Sequence, residues 1–68
     1  MNMKFEIEKL KRAMAEKGMS NNRLRQETGI SVSTLSAYKR GLRNPKYDTI
    51  QKIAEALGVP IEALTEST

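Results

Sequence analysis

Apolar residues recur at helical spacing through most of the chain. The clearest run is Ile50, Ile53, Ala54 and Leu57, at i, i+3, i+4 and i+7. With Asp48 in its first turn and Gly58 behind it, this predicts a helix over about residues 47–57. Near the start, Ile7, Leu10, Ala13 and Met14 make one stripe, while Glu8, Lys9, Lys11, Arg12 and Glu16 face water. That predicts a helix over about 4–17, stopped by Gly18, with Phe5 at the edge of the core. Glu8 and Arg12 form an i,i+4 pair worth a few tenths of a kcal/mol, roughly. Two shorter segments lie between, 21–28 and 32–40. Ser20 and Ser31 are their N-caps, each offering a hydroxyl to an orphan amide. Leu24 and Thr28 share one face of the first, and Leu35 and Tyr38 point inward from the second. Gly29 breaks the pattern where a positive φ is needed, Ile30 suits the plug of the corner, and Gly41 stops the second segment. The Asn44-Pro45 pair marks a loop, because proline disfavours helical backbone in the residue before it. Pro60 suits the first turn of a fifth short helix, about 61–65, with Ile61 and Leu64 facing the core. Met1 and Asn2 are expected to be loose and residues 62–68 to fray. No stretch alternates at β spacing. The expected class is therefore all-α, a compact bundle of five short helices forming one domain over residues 1–68.

At 68 residues the chain can build only one small core. It has neither cysteine nor histidine, which removes disulfides, thiolate chemistry and the usual zinc sites, so no metal or cofactor is expected. No apolar run approaches membrane-spanning length, so a cytoplasmic protein is the expectation. The formal net charge is +4, and its placement matters more than its size. Residues 20–47 hold Arg23, Arg25, Lys39, Arg40, Arg43 and Lys46 against the single acid Glu27, a net +5. Residues 48–68 are net −3. One face is thus fitted to a polyanion, although a solvated basic face explains charge alone equally well.

The two central segments give that face a use. Apart from Leu35 and Tyr38, the second presents Val32, Ser33, Thr34, Ser36 and Ala37, all small or hydroxyl-bearing, followed at once by Lys39 and Arg40. A helix with so low a profile can approach another surface closely, which suits entry into a DNA groove.

Gly18-Met19-Ser20, Leu24, Gly29-Ile30-Ser31, Thr34-Leu35-Ser36, Arg40-Gly41, Asn44-Pro45, Ile53-Ala54, Ala56-Leu57-Gly58-Val59 and Leu64 stand in one ordered set. In that order and spacing the chain resembles the lambda-repressor/Cro-type helix-turn-helix family, also called the xenobiotic-response-element type, from about residue 7 to 64. The resemblance implies a five-helix DNA-binding domain whose third helix lies in the major groove, in members that regulate, mostly repress, phage, plasmid and bacterial genes. It implies base contacts by Val32, Ser33, Ser36 and Ala37. It implies phosphate contacts by Asn21, Thr34, Lys39, Arg40, Arg43, Asn44 and Lys46. Family members often act as homodimers on half-sites one turn apart, which makes Val59, Ile61 and Leu64 candidates for a dimer contact beside their role in capping the core.

The chain departs from the family pattern in three ways. Arg25 replaces a small residue where the second and third helices cross, so its side chain must escape sideways. Met14 and Lys39 replace an Arg–Glu pair together, so no buried charge is orphaned and Lys39 is free to point at phosphate. Lys46 replaces a capping residue before the fourth helix, losing about 1 kcal/mol of cap but adding a positive charge beside the groove.

Two other function classes compete with this one. A protein-interaction or antitoxin-like module could use the same surface, but the positive charge concentrated on it argues for DNA. An enzyme is not expected: nucleophile–base constellations and paired carboxylates are missing, and the domain is small for a substrate pocket. No small-molecule ligand is expected. The partner expected is double-stranded DNA.

Overall fold

The computed structural model describes residues 3–67. The looseness expected of Met1 and Asn2, and the fraying of Thr68, lie outside them. The chain runs through a short strand β1 (Met3–Phe5) and four helices, α1 (Ile7–Glu16), α2 (Asn21–Thr28), α3 (Val32–Lys39) and α4 (Tyr47–Leu57). A single 3-10 turn (Ile61–Ala63) and a second strand β2 (Thr65–Ser67) follow.

The helical segments follow the apolar pattern. Leu10, Ala13 and Met14 of α1, Leu24 of α2, Leu35 and Tyr38 of α3, and Ile50, Ile53, Ala54 and Leu57 of α4 are all buried in one core. Ile7 and Ile30 pack partly buried against it. The expected limits of α2 and α4 match the structure, and α3 ends one residue early, at Lys39.

The ends of the chain require correction. Residues 4–6 are not the first turn of α1, and the fifth helix is replaced by the 3-10 turn. Strands β1 and β2 pair antiparallel, with Lys4 opposite Glu66 and Phe5 opposite Thr65. The molecule is therefore mostly helical with a small two-stranded sheet, not a five-helix all-α bundle. The cause is burial at alternate positions: Phe5 and Thr65 are inside, while their neighbours Lys4 and Glu66 are outside. The Glu6 amide donates to the Leu64 carbonyl at 2.9 Å, extending the tie. Among the described residues Thr65 is, besides Tyr38, the one buried polar residue, and its hydroxyl donates to the Ile61 carbonyl at 3.1 Å. The segment expected to fray is thus ordered through residue 67.

Lys9 completes this clasp. Expected to face water, it instead lies half-buried on α1, and its ammonium donates to the carbonyls of Thr65 (2.7 Å) and Glu62 (3.3 Å). It also pairs with the Glu66 carboxylate at 3.3 Å. The expected Glu8–Arg12 pair is not formed; Glu8 instead meets Lys11 at 3.7 Å. Lys9→Ala is expected to destabilise the fold by about 1 kcal/mol, because charged hydrogen bonds at a half-exposed site are discounted by solvent. Urea unfolding with an unchanged m-value checks this.

Candidate nucleic-acid interface

The corner between α2 and α3 is built from local hydrogen bonds. Ser20 Oγ accepts from the Arg23 amide at 3.2 Å and starts α2. At its end Gly29 takes φ +77°, and its amide donates to the Arg25 carbonyl at 2.8 Å. A side chain there would be strained in the left-handed region. Thr28 stitches the corner: its hydroxyl donates to the Leu24 carbonyl at 2.7 Å and accepts from the Ile30 amide at 3.1 Å. That bonding is a detail the apolar pattern gave no sign of, although a threonine hydroxyl four residues after a helical carbonyl is the usual geometry for it. Ser31 then accepts from the Thr34 amide at 3.2 Å and starts α3.

The far end of α3 is held as tightly. Phe5 meets the Tyr38 ring edge-on, with centroids 6.4 Å apart and planes at 65°. Gly41, at φ +76°, lies so near α1 that a Cβ would stand 3.0 Å from Ile7 Cδ1. The helix is therefore pinned at the corner by α2, beneath by the core, and at its C-terminal end by β1 and α1.

What remains outward is the low-profile surface expected from the sequence. Ser33 is exposed, and Val32, Ser36 and Ala37 are half-exposed, on the side of α3 away from Leu35 and Tyr38. The Ser31 hydroxyl donates to Thr34 Oγ1 at 2.8 Å, which leaves the proton of the Thr34 hydroxyl for an external acceptor. Ser31 Oγ also stands 3.4 Å from Ser33 Oγ.

Positive charge surrounds this surface. Arg40, Arg43, Asn44 and Lys46 are all exposed, in a loop fixed by the buried ring of Pro45. Lys46 makes no side-chain cap on α4. Arg25 is exposed too, so the long side chain at the α2–α3 crossing does escape into solvent. Arg23 pairs with Glu27 at 3.3 Å, and that one ion pair cancels both charges. Among the described residues, Arg25, Lys39, Arg40, Arg43 and Lys46 have no acidic partner.

Lys39 is engaged where it was expected to be free. Its ammonium donates to Asn21 Oδ1 at 3.2 Å, joining the last turn of α3 to the first of α2. This uses one of three ammonium donors and orients the Asn21 amide, whose NH2 group is left to donate elsewhere. Met14, the other position that departs from the family pattern, is buried in the core.

The dimer candidates separate. Leu64 is completely buried within the monomer and belongs to the core, whereas Val59 and Ile61 are half-exposed beside the 3-10 turn. Sequence reasoning missed two apolar surface groups flanking the basic loop, Leu42 at 65% exposure and Tyr47 at 53%. No helix of the described residues is long and apolar enough to cross a membrane.

Comparison with known proteins agrees with this geometry. The helix-turn-helix family model matches residues 10–64. The chain is 28% identical over 60 residues to the cryptic phage CTXphi transcriptional repressor RstR of Vibrio cholerae, covering 88% of this chain and 54% of that protein. It is 40% identical over 48 residues to the uncharacterized HTH-type transcriptional regulator y4dJ of Sinorhizobium fredii, covering 71% and 62%. It is 38% identical over 58 residues to the HTH-type transcriptional repressor RghR of Bacillus subtilis, covering 84% and 43%. The chain thus spans about half the length of the curated relatives it matches. With two capped helices meeting at a left-handed glycine, and a match that runs from within α1 to beyond α4, the chain belongs to the Cro/C1-type helix-turn-helix family.

Proposed function

We propose that this chain is the DNA-binding part of a transcriptional regulator, a repressor by the sense of its named relatives, and that α3 enters the major groove of double-stranded DNA. One observation carries the reading. The outward side of α3 is small and uncharged, and cations with no acidic partner among the described residues surround it on the loop and at the helix end. In this reading Val32, Ser33, Ser36 and Ala37 meet base edges. Asn21, Thr34, Lys39, Arg40, Arg43, Asn44 and Lys46 hold phosphates. Val59 and Ile61 supply the apolar part of a homodimer contact.

The side chains on α3 limit the specificity. A serine hydroxyl bonds to several bases, and Val32 or Ala37 fits a thymine methyl. None has the bidentate reach of arginine to guanine or glutamine to adenine. Modest discrimination per half-site is expected, with thymine-containing steps preferred.

Selection from a randomised duplex pool at two salt concentrations tests both function and specificity. Enrichment of a two-fold symmetric site with one-turn half-site spacing, bound less tightly at high salt, is the expected result. A dominant guanine requirement opposite α3 would contradict the assigned base contacts. Absence of salt-sensitive binding would remove the DNA reading and favour a protein partner on the same surface.

A further inference from the structure

A cleft opens at the C-terminal end of α3, with Lys4, Glu6 and Lys11 along one wall and Lys39, Arg40 and Asn44 along the other. Lys4 and Asn44 face each other again across an adjoining cleft floored by Phe5 and Pro45. Strand β1 therefore lies directly beside the basic loop that follows the recognition helix. Its position is fixed, because Phe5 is buried on the Tyr38 ring one residue before Lys39.

The charges in this cleft are unequally committed. Lys11 is paired with Glu8. Lys4 is exposed, and its cross-strand partner Glu66 is already taken by Lys9 at 3.3 Å. Among the described residues Lys4 has no ion pair, and neither has Arg40. The C-terminal end of α3 carries the negative end of the helix dipole, so a phosphate passing there needs added cations. Of the two acids lining the cleft, Glu8 is paired with Lys11, whereas Glu6 has no ion pair among the described residues and its side chain caps nothing.

We propose that Lys4 is a phosphate anchor, so that the DNA-backbone contact continues from the loop after α3 onto strand β1. This rests on the DNA reading above and adds a part of the molecule outside the two-helix unit. The same geometry gives Glu6 the opposite effect: it repels the strand that Lys4 attracts.

Fluorescence-anisotropy titration of the full chain on the selected duplex, across a salt series, tests the assignment. Lys4→Gln, Lys4→Arg and Glu6→Gln are compared with wild type, and Lys52→Gln serves as control, since Lys52 lines a different cleft with Glu27 and Glu55. Lys4→Gln is expected to lower the salt slope by about 0.9 and to weaken all duplex sequences alike. Its deficit should shrink roughly threefold between about 50 and 200 mM salt. Lys4→Arg should bind as wild type, Glu6→Gln should bind more tightly, and Lys52→Gln should not change the slope. Circular dichroism of each variant excludes loss of fold as the cause. If wild type shows its full slope and Lys4→Gln matches it in slope and affinity, the role of Lys4 is overturned alone. If wild type shows no salt-dependent binding, the DNA reading falls and Lys4 with it.

Discussion

Leu35→Ala is expected to destabilise the protein by about 2–5 kcal/mol, the range for a leucine truncated in a packed core. Leu35 is 1% exposed, sits in the middle of α3, and belongs to the same buried core as the α1 and α4 stripes. Its loss removes the transfer energy of the side chain and leaves a hole at the centre of a thin core. A chain of 68 residues has about 3–10 kcal/mol of stability in total, by the usual value per residue. The substitution therefore removes a large share of it. Each kcal/mol lowers Tm by about 4–8 °C in a domain of this size, so thermal unfolding should shift down by about 8 °C or more. Ser36→Ala, one residue further on the same helix, should leave Tm within about 2–4 °C, because surface changes stay near ±0.5 kcal/mol. Equal shifts for the two variants would mean that α3 is not seated by Leu35.

The combined variant Arg40→Gln, Arg43→Gln and Lys46→Gln is expected to have the largest effect on DNA. All three side chains are exposed, and none has an acidic partner among the described residues. Their removal breaks no internal ion pair and relieves mutual repulsion, so stability should be unchanged or slightly raised. Binding is a different matter. With three cations no longer neutralising phosphates, the salt slope should fall by roughly 2.7. The advantage of wild type over the variant should then be about fortyfold larger at about 50 mM salt than at about 200 mM. The preferred sequence should stay the same, since phosphate contacts carry no base information. A variant that keeps its affinity but prefers a different operator would make one of these three a base reader. Arg43→Ala alone should remove about one ion from the slope.

How much of the fold and the interface is legible in the sequence depends on how far apart the interacting residues lie. Helices α2 and α4 can be delimited to the residue because their signals are local: a serine cap three residues before its amide, a glycine at the turn, an apolar stripe repeating each turn. The strands cannot, since three residues offer too few positions to establish a period of two, and Phe5 fits the start of a helical stripe equally well. Thr65 shows the same limit. A polar residue near a chain end reads as solvent-exposed until a second segment covers it, and that segment is at the opposite end of the sequence. Lys9 on the rim of α1 has no sequence neighbour announcing that its ammonium serves carbonyls of residues 62 and 65. In the candidate interface the residue types are readable from the corner motif and its charges. The Lys39–Asn21 bond is not, because it depends on two side chains eighteen residues apart meeting across a helix crossing.

The clasp of β1, β2 and Lys9 also bears on the rates of folding. Most contacts in a small helical protein are local and form early, whereas Lys9 and Thr65 are separated by 56 positions. Joining them closes nearly the whole chain into a loop, an entropic cost met only when the helices are already packed. The clasp should then form after the rate-limiting step. In a chevron, Lys9→Ala should leave the refolding arm unchanged and should speed unfolding by nearly its full equilibrium effect. The two ends of the polypeptide would thus act as a latch on the native state, setting how long each molecule persists once folded and leaving unchanged how quickly it gets there.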